Sequence, residues 1–203
     1  MKKQSMHLKL FGYITYGLFT WVPISVLAES GNTNAELWKA LQEGGKVVLM
    51  RHAPVEKGSN SGDPLVRDPS CENEKNVSKT GERNAQLLGM KFRDYAVPVS
   101  FVRHSPFCRT AKTAQLIFGN SKPADYLSLL ETLSPEEAAQ QTQNLTGVIE
   151  SFKDEGNLVL ITHEPNINAI SFEVIKHLDF LVIDPVADDE FEELGVVRFL
   201  ELE

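Results

Sequence analysis

Apolar and polar positions alternate in blocks along this chain, and the blocks change period. Thr33-x-x-Glu36 forms a capping box ahead of Leu37, Trp38 and Leu41, and Gly44-Gly45 stops the helix it opens. Residues 46–50, Lys-Val-Val-Leu-Met, are too short and too uniformly apolar for a surface helix and read as a strand buried on both faces. After Ser78, Ala85, Leu88 and Phe92 recur on one helical face. Residues 99–103 read as a second strand, and a helix carrying Arg109, Thr113, Leu116 and Ile117 follows Ser105-Pro106. Residues 126–130 read as a third strand. Ser134-Pro135-Glu136-Glu137 combines an N-cap, a proline at the first helical position and a capping-box glutamate, opening a helix toward Phe152. Residues 157–162 read as a fourth strand, 167–177 as a helix, and 180–183 and 196–202 as closing strands.

Strands that alternate with helices imply an α/β fold, a three-layer sandwich with a mostly parallel central sheet flanked by helices. Right-handed crossovers then bring the C-terminal ends of the strands to one edge, where open α/β sheets bind their ligands. Residues 53–76 interrupt the alternation. They are rich in Pro, Gly, Ser, Asn and Asp and form one long loop, a length that in a compact domain signals function or disorder.

Composition narrows the reading. The 203 residues are 42% hydrophobic and 24% charged, as in a single globular domain, and a formal charge of −8 argues against nucleic acid or an anionic membrane as partner. Residues 1–28 stand apart. Lys2, Lys3 and Lys9 precede an uncharged stretch from 10 to 27, and Val26-Leu27-Ala28 sets small residues before a cleavage point, which is the layout of a signal peptide. Gly12, Gly17, Thr20 and Pro23 dilute the stretch and disfavour the alternative, an uncleaved anchor. The expected product is a periplasmic or secreted domain over residues 29–203, with no stable membrane span after processing. Removing three lysines and no acid takes its formal charge from −8 to −11. Such a domain must gather positive charge locally to bind any anion. The only cysteines, Cys71 and Cys108, match no zinc or redox spacing, and in an oxidising compartment they are expected to pair as a disulfide.

The polar residues that follow the strands carry the chemistry. They are Arg51-His52, Ser105 with Arg109, Glu131, and His163-Glu164. Taken singly, each has an ordinary explanation as a structural histidine or a solvated charge. Two histidines and two arginines at successive strand ends converge on one crevice.

These residues lie in segments with a family likeness. Leu49-Met50-Arg51-His52-Ala53 resembles the R-H-G/A signature of the histidine phosphatase superfamily, which includes phosphoglycerate mutases, phosphohistidine phosphatases and acid phosphatases. The stretch from Ser105-Pro106 through Arg109 and Thr113 to Ala114 resembles its S-P-x-x-R-[AT]-x-x-T-A segment. Leu160 to Ile167, containing His163, resembles its second-histidine segment. Ala53 stands where many members carry Gly, His104 precedes Ser105 where a small polar residue is usual, and the 53–76 loop has no clear mutase counterpart. The resemblance implies a hydrolase that acts on a small phosphorylated substrate. An envelope sugar phosphate is suggested by the likeness to lipopolysaccharide heptose phosphatases.

The residues can be given roles on chemical grounds. A neutral imidazole is a nucleophile at pH 7 without a base to strip it, so His52 is the expected phosphoryl acceptor. Arg51 and Arg109 offer planar donor forks to the phosphoryl oxygens, with His163 as a further donor and Ser105 beside the substrate. With several cationic donors, the chemistry needs no metal and no cofactor. A metal site drawn from His52, His104, His163, Cys71 and Cys108 lacks the short ligand spacings of zinc and would face two arginines. Glu131 matches the position of the mutase-branch proton donor, and His163-Glu164-Pro165-Asn166-Ile167 resembles the acid-phosphatase H-D-x-N-I segment, which makes Glu164 the other candidate. Two readings compete with hydrolysis. A mutase would find few glycolytic intermediates outside the cytosol, and a phosphate-binding module without turnover would not require the full set of groups.

Overall fold

The computed structural model describes residues 32–58, 60–186 and 190–201, all of which belong to the compact unit from Gly31 onward. The signal peptide expected over residues 1–28 lies outside the described residues.

Helices and strands alternate around one six-stranded sheet, in which one edge strand is only two residues long. The order is α1 (Asn34–Glu43), β1 (Val47–Arg51), α2 (Lys79–Asp94), β2 (Val99–His104), α3 (Cys108–Phe118), β3 (Lys122–Pro123), α4 (Pro135–Glu150), β4 (Asn157–Thr162), α5 (Glu164–Asn168), β5 (Phe180–Pro185) and β6 (Phe191–Val197). In space the strands run β3-β2-β4-β1-β5-β6. The pairs β2·β3, β2·β4 and β1·β4 are parallel, and β1·β5 and β5·β6 are antiparallel. This is the mostly parallel α/β sandwich expected.

Local chemistry accounts for most element ends. Thr33 and Ser134 close full capping boxes with Glu36 and Glu137, and Ser78 accepts the Gly81 amide. Helix α1 stops where Gly44 takes φ 77°. Because alternate side chains of a strand face opposite ways, Val48 and Met50 pack with α1 and α2 residues such as Trp38, Leu41, Leu88 and Phe92 on one face. Val47 and Leu49 pack with Leu145 and Ile149 of α4 on the other. The central strands are wholly buried, as in a sheet covered on both sides. No helix of the described residues is long and apolar enough to cross a membrane.

Three elements differ from the sequence reading. Residues 126–130 are not a strand. The edge strand β3 has two residues, and Pro123 has no amide with which to extend the ladder. The chain continues as two 3₁₀ turns, Asp125–Leu127 and Leu130–Thr132, which satisfy their own amides locally, while Leu127 and Leu129 still turn inward. A short apolar run fits either structure.

The helix expected over 167–177 ends at Asn168. Ser171 takes the Glu173 amide on its hydroxyl, and the carbonyl of Ile175 accepts from Arg51 Nη1 at 2.9 Å, so side chain and tertiary bonds displace the helical ones. The strand expected over 196–202 spans 191–197 instead. Its acidic start, Phe191-Glu192-Glu193, disguised an edge strand, and the Asp179 carboxylate accepts the Phe199 amide where the chain turns away.

The antiparallel β5 also breaks the rule that every strand's C-terminal end lies on one edge. At β5 it is the N-terminal approach, 175–179, that reaches the edge where β1 and β4 end. Leu178 N–H donates to the Arg51 carbonyl and Arg51 N–H to the Asp179 carbonyl, which ties that approach directly to the end of β1.

Candidate active site

A crevice of about 730 Å³ opens at this edge, lined by Arg51, His52, Val55, Pro64, Lys75, Arg109, Leu129, Glu131, His163, Glu164, Pro165, Asn168, Ala169 and His177. The volume is within the range of small-molecule sites.

His52 follows β1 directly and is almost wholly buried. Its backbone amide donates to the Thr162 carbonyl of the neighbouring strand, and Nδ1 lies 2.8 Å from the Ala53 carbonyl. A carbonyl only accepts, so Nδ1 carries the proton and Nε2 presents its lone pair. Burial, then the neighbouring His163 and Arg109, hold its pKa well below the ordinary imidazole value. The ring is therefore neutral at pH 7. The Ala53 amide donates to Thr113 Oγ1, which itself donates to the Arg109 carbonyl, so one hydroxyl joins the His52 loop to α3.

Arg109 lies in the first turn of α3 with 3% of its surface exposed. Nη2 donates to the Pro64 carbonyl at 3.0 Å and to His163 Nδ1 at 3.2 Å, and the guanidinium stacks over Phe107. Burial lowers its pKa to about 10, against the pull of Glu74 and Glu131, so the charge persists at neutral pH. Nη1 is buried without a hydrogen-bond partner among the described residues, as is Arg51 Nε. Buried donors of this kind are rare and costly unless something meets them. Both belong to guanidinium groups of residues that line the crevice beside His52.

His163 is held differently from the sequence expectation. Nδ1 accepts from Arg109, so Nε2 carries the proton and donates to Ser105 Oγ at 2.8 Å. Both nitrogens are engaged, and the ring offers no free N–H to a ligand. Burial, Arg109 and Arg51 keep it neutral by pushing its pKa well below the usual value. Ser105, expected beside the substrate, is fully buried behind His163 and meets that ring through its hydroxyl.

The two candidate acids are now distinct. Glu164 forms an ion pair with Arg51 Nη1 at 2.8 Å. Glu131, in the turn after the short edge strand, lines the crevice, is exposed, and has no ion-pair partner among the described residues. It is near enough to Arg109 to act on that group's pKa.

Cys71 and Cys108 form the expected disulfide, with Cα atoms 5.8 Å apart. Both sulfurs are consumed by that bond, which removes them from any metal-ligand set. The bridge ties the loop between β1 and α2 to the residue preceding Arg109. Beside it, the buried Glu74 carboxylate accepts the Cys108 amide at 2.7 Å and the Asp68 amide at 2.9 Å. Helix α3 has no side-chain cap of its own, and Glu74 supplies one from the loop.

Among the wall residues that the sequence reading did not place in the site, three carry polar groups or meet the catalytic side chains: Lys75, Pro64 and His177. Lys75 and Pro64 belong to the polar loop, where nothing in the composition distinguishes them. His177 was placed at a helix end, although it lies just before a strand whose neighbour is β1. Its Nδ1 donates to the His52 carbonyl at 3.0 Å, and its ring centroid lies 5.0 Å from that of His52.

No protein-family model and no curated protein matches the chain. Solved structures match its fold. The protein histidine phosphatase SixA complexed with tungstate superposes with a TM-score of 0.58, at 12% identity, over 78% of this chain and 99% of that one. A histidine-to-alanine variant of phosphoserine phosphatase from Entamoeba histolytica, bound to phosphoserine, gives 0.55 at 11% identity over 78% and 99%. An open reading frame of Mycobacterium tuberculosis gives 0.54 at 12% identity over 73% and 94%. The resemblance read from the three sequence segments thus holds at the level of fold, which is that of the histidine phosphatases.

Proposed function

We propose that this chain is a phosphatase that hydrolyses a small phosphomonoester through a phosphohistidine on His52. The observation that carries the reading is a neutral, buried imidazole with a free Nε2, set beside two guanidinium groups that each keep a buried, unpartnered N–H. In the proposed reaction Nε2 attacks phosphorus and the P–O bond to the leaving group breaks. The three phosphoryl oxygens spread their charge toward Arg51 and Arg109, which need no reorganisation to receive it. Water then attacks phosphorus and gives its proton to the carboxylate that had protonated the leaving group; the P–N bond breaks, phosphate departs and Nε2 regains its lone pair.

The leaving alkoxide takes a proton from Glu131. Glu164 suits that task less, because its carboxylate is committed to Arg51 in an ion pair at 2.8 Å. His163, locked between Arg109 and Ser105, holds the Arg109 fork in place. The cationic groups of the crevice do the electrostatic work, and the proposed reaction uses no cofactor.

The expected setting is the periplasm or the exterior, and a phosphorylated envelope sugar is the proposed substrate class. The disulfide is consistent with an oxidising compartment. The test is an acid quench during turnover of an aryl phosphate without added metal. Wild type should yield an acid-labile phosphoenzyme that His52→Ala lacks. Retention by that variant of more than about a thousandth of the wild-type rate would refute His52 as nucleophile.

A further inference from the structure

The segment before β5 places one histidine against the nucleophile that the reaction above leaves unused. His177 is half-buried in the crevice wall, its Nδ1–H held by the carbonyl of His52 itself. Its Nε2 has no hydrogen-bond partner among the described residues. The next residue, Leu178, is fully buried and takes φ 67°, a region that leucine rarely adopts. Backbone strain of this kind persists where surrounding structure enforces it, and here the Leu178 amide is tied to the Arg51 carbonyl. The strained turn fixes where the His177 ring stands.

Geometry decides what that ring can reach. In-line transfer puts the leaving oxygen on the far side of phosphorus from His52. Groups flanking His52 face the three phosphoryl oxygens that lie between. The His163 and His177 rings stand 5.5 Å and 5.0 Å from the His52 ring, and both residues line the crevice into which His52 opens. Unlike His163, whose two nitrogens are engaged, His177 has one nitrogen to spare.

We infer that His177 is a phosphoryl-binding residue that takes up a proton as the oxyanion docks and donates from Nε2 to one of its oxygens. This inference rests on the phosphatase reading. Proton balance is simple: a bound ester monoanion passes its proton to Nε2, or a dianion recruits one from water, and Nδ1–H stays on the His52 carbonyl. The groups that face the ring are Arg51 and His52 at the end of β1, Glu164 of α5, and Asp179 of its own segment. Before binding, burial and then Arg51 hold its pKa below the usual value, so it enters neutral. A doubly charged oxyanion beside Nε2 reverses that balance.

Tungstate tests this without turnover, since it remains a dianion across the neutral range. Calorimetry at pH 8 in buffers of different ionisation enthalpy should show wild type taking up about one proton. The Kd should rise about tenfold per pH unit, as one-proton linkage requires. His177→Gln carries an amide N–H that donates at any pH, so it should bind tungstate with almost no proton uptake and a Kd nearly flat between pH 6.5 and 8.5. The same uptake and slope in His177→Gln would overturn the proposal, and so would tungstate affinity within twofold of wild type in His177→Phe.

Should the variants fail to fold, the wild-type His177 ring resonance decides alone. It should move to its charged position when tungstate is added at pH 8, and a ring that stays neutral refutes the idea. Loss of the phosphoenzyme test would sink the phosphatase reading while leaving this titration fully readable.

Discussion

Breaking the Cys71–Cys108 bridge should separate the stability of this fold from the precision of its site. The bond closes a sequence separation of 37 residues. The loop-closure relation for a ring of that size gives an entropy near 13 cal/mol/K, or about 4 kcal/mol at 25 °C, as the cost of its removal. That figure is an upper bound, because residual structure in the unfolded chain reduces it. For a domain of this size, 1 kcal/mol moves Tm by about 2–4 °C, so the Cys71→Ala/Cys108→Ala double variant should melt roughly 8–16 °C lower. A cross-linked unfolded chain is also more compact, and its loss should raise the denaturant m-value.

The native loop should hold most of its position in the double variant, since Glu74 still caps α3 through the Cys108 and Asp68 amides. Arg109 leans on the same loop through the Pro64 carbonyl, so its orientation should loosen and tungstate affinity should fall several-fold. Urea unfolding of the oxidised protein beside the double variant, with tungstate titrations of both, measures the two effects. A stability loss under about 1 kcal/mol with an unchanged m-value would refute the cross-link argument. Unchanged tungstate affinity would refute the coupling from loop to Arg109.

Further expectations concern the acid, the pH dependence and the leader. Glu131→Gln should slow an alkyl phosphate at least tenfold more than a nitrophenyl ester, whose leaving group needs no proton; an equal effect on both would move the role to Glu164. His52, His163 and His177 have folded pKa values pushed below the ordinary value near 6.5, so below that pH the unfolded chain binds three protons that the folded chain resists. Stability should therefore be fully present above pH 6.5 and fall on acidification by up to about 4 kcal/mol per pH unit, read by urea unfolding at pH 7.5 and 5. A flat profile would show that the rings are not held neutral. Intact-mass measurement on exported material should find a chain beginning at Glu29, and a full-length cytosolic product would refute export.

The chain's pattern showed the fold through its most local signals. Capping boxes at Thr33 and Ser134, the glycine stop at Gly44 and the uniformly apolar β1 and β4 each specify their element with little help from elsewhere. Where tertiary partners decide, the pattern misled. Residues 126–130 look like a strand, but the chain leaves the sheet after the Ala124 amide meets the His104 carbonyl and closes two 3₁₀ turns instead. Residues 169–177 look helical, but Arg51 draws the Ile175 carbonyl out of any helix.

The site divides along the same line. Arg51, His52, Arg109, His163, Glu131 and Glu164 follow parallel strands or begin the helices after them, where the rule for α/β sheets directs attention. Ser105 obeys that rule too and yet lies fully buried behind His163, a placement that cannot be read from spacing. His177 escapes the rule altogether. It precedes its strand, and it reaches the crevice only because β5 runs antiparallel to β1. Strand direction is a property of pairing, set by hydrogen bonds between residues more than a hundred positions apart. A reversed strand therefore delivers its leading residues to the edge where the others deliver their trailing ones. In a mixed sheet, the search for site residues must run both ways along the chain.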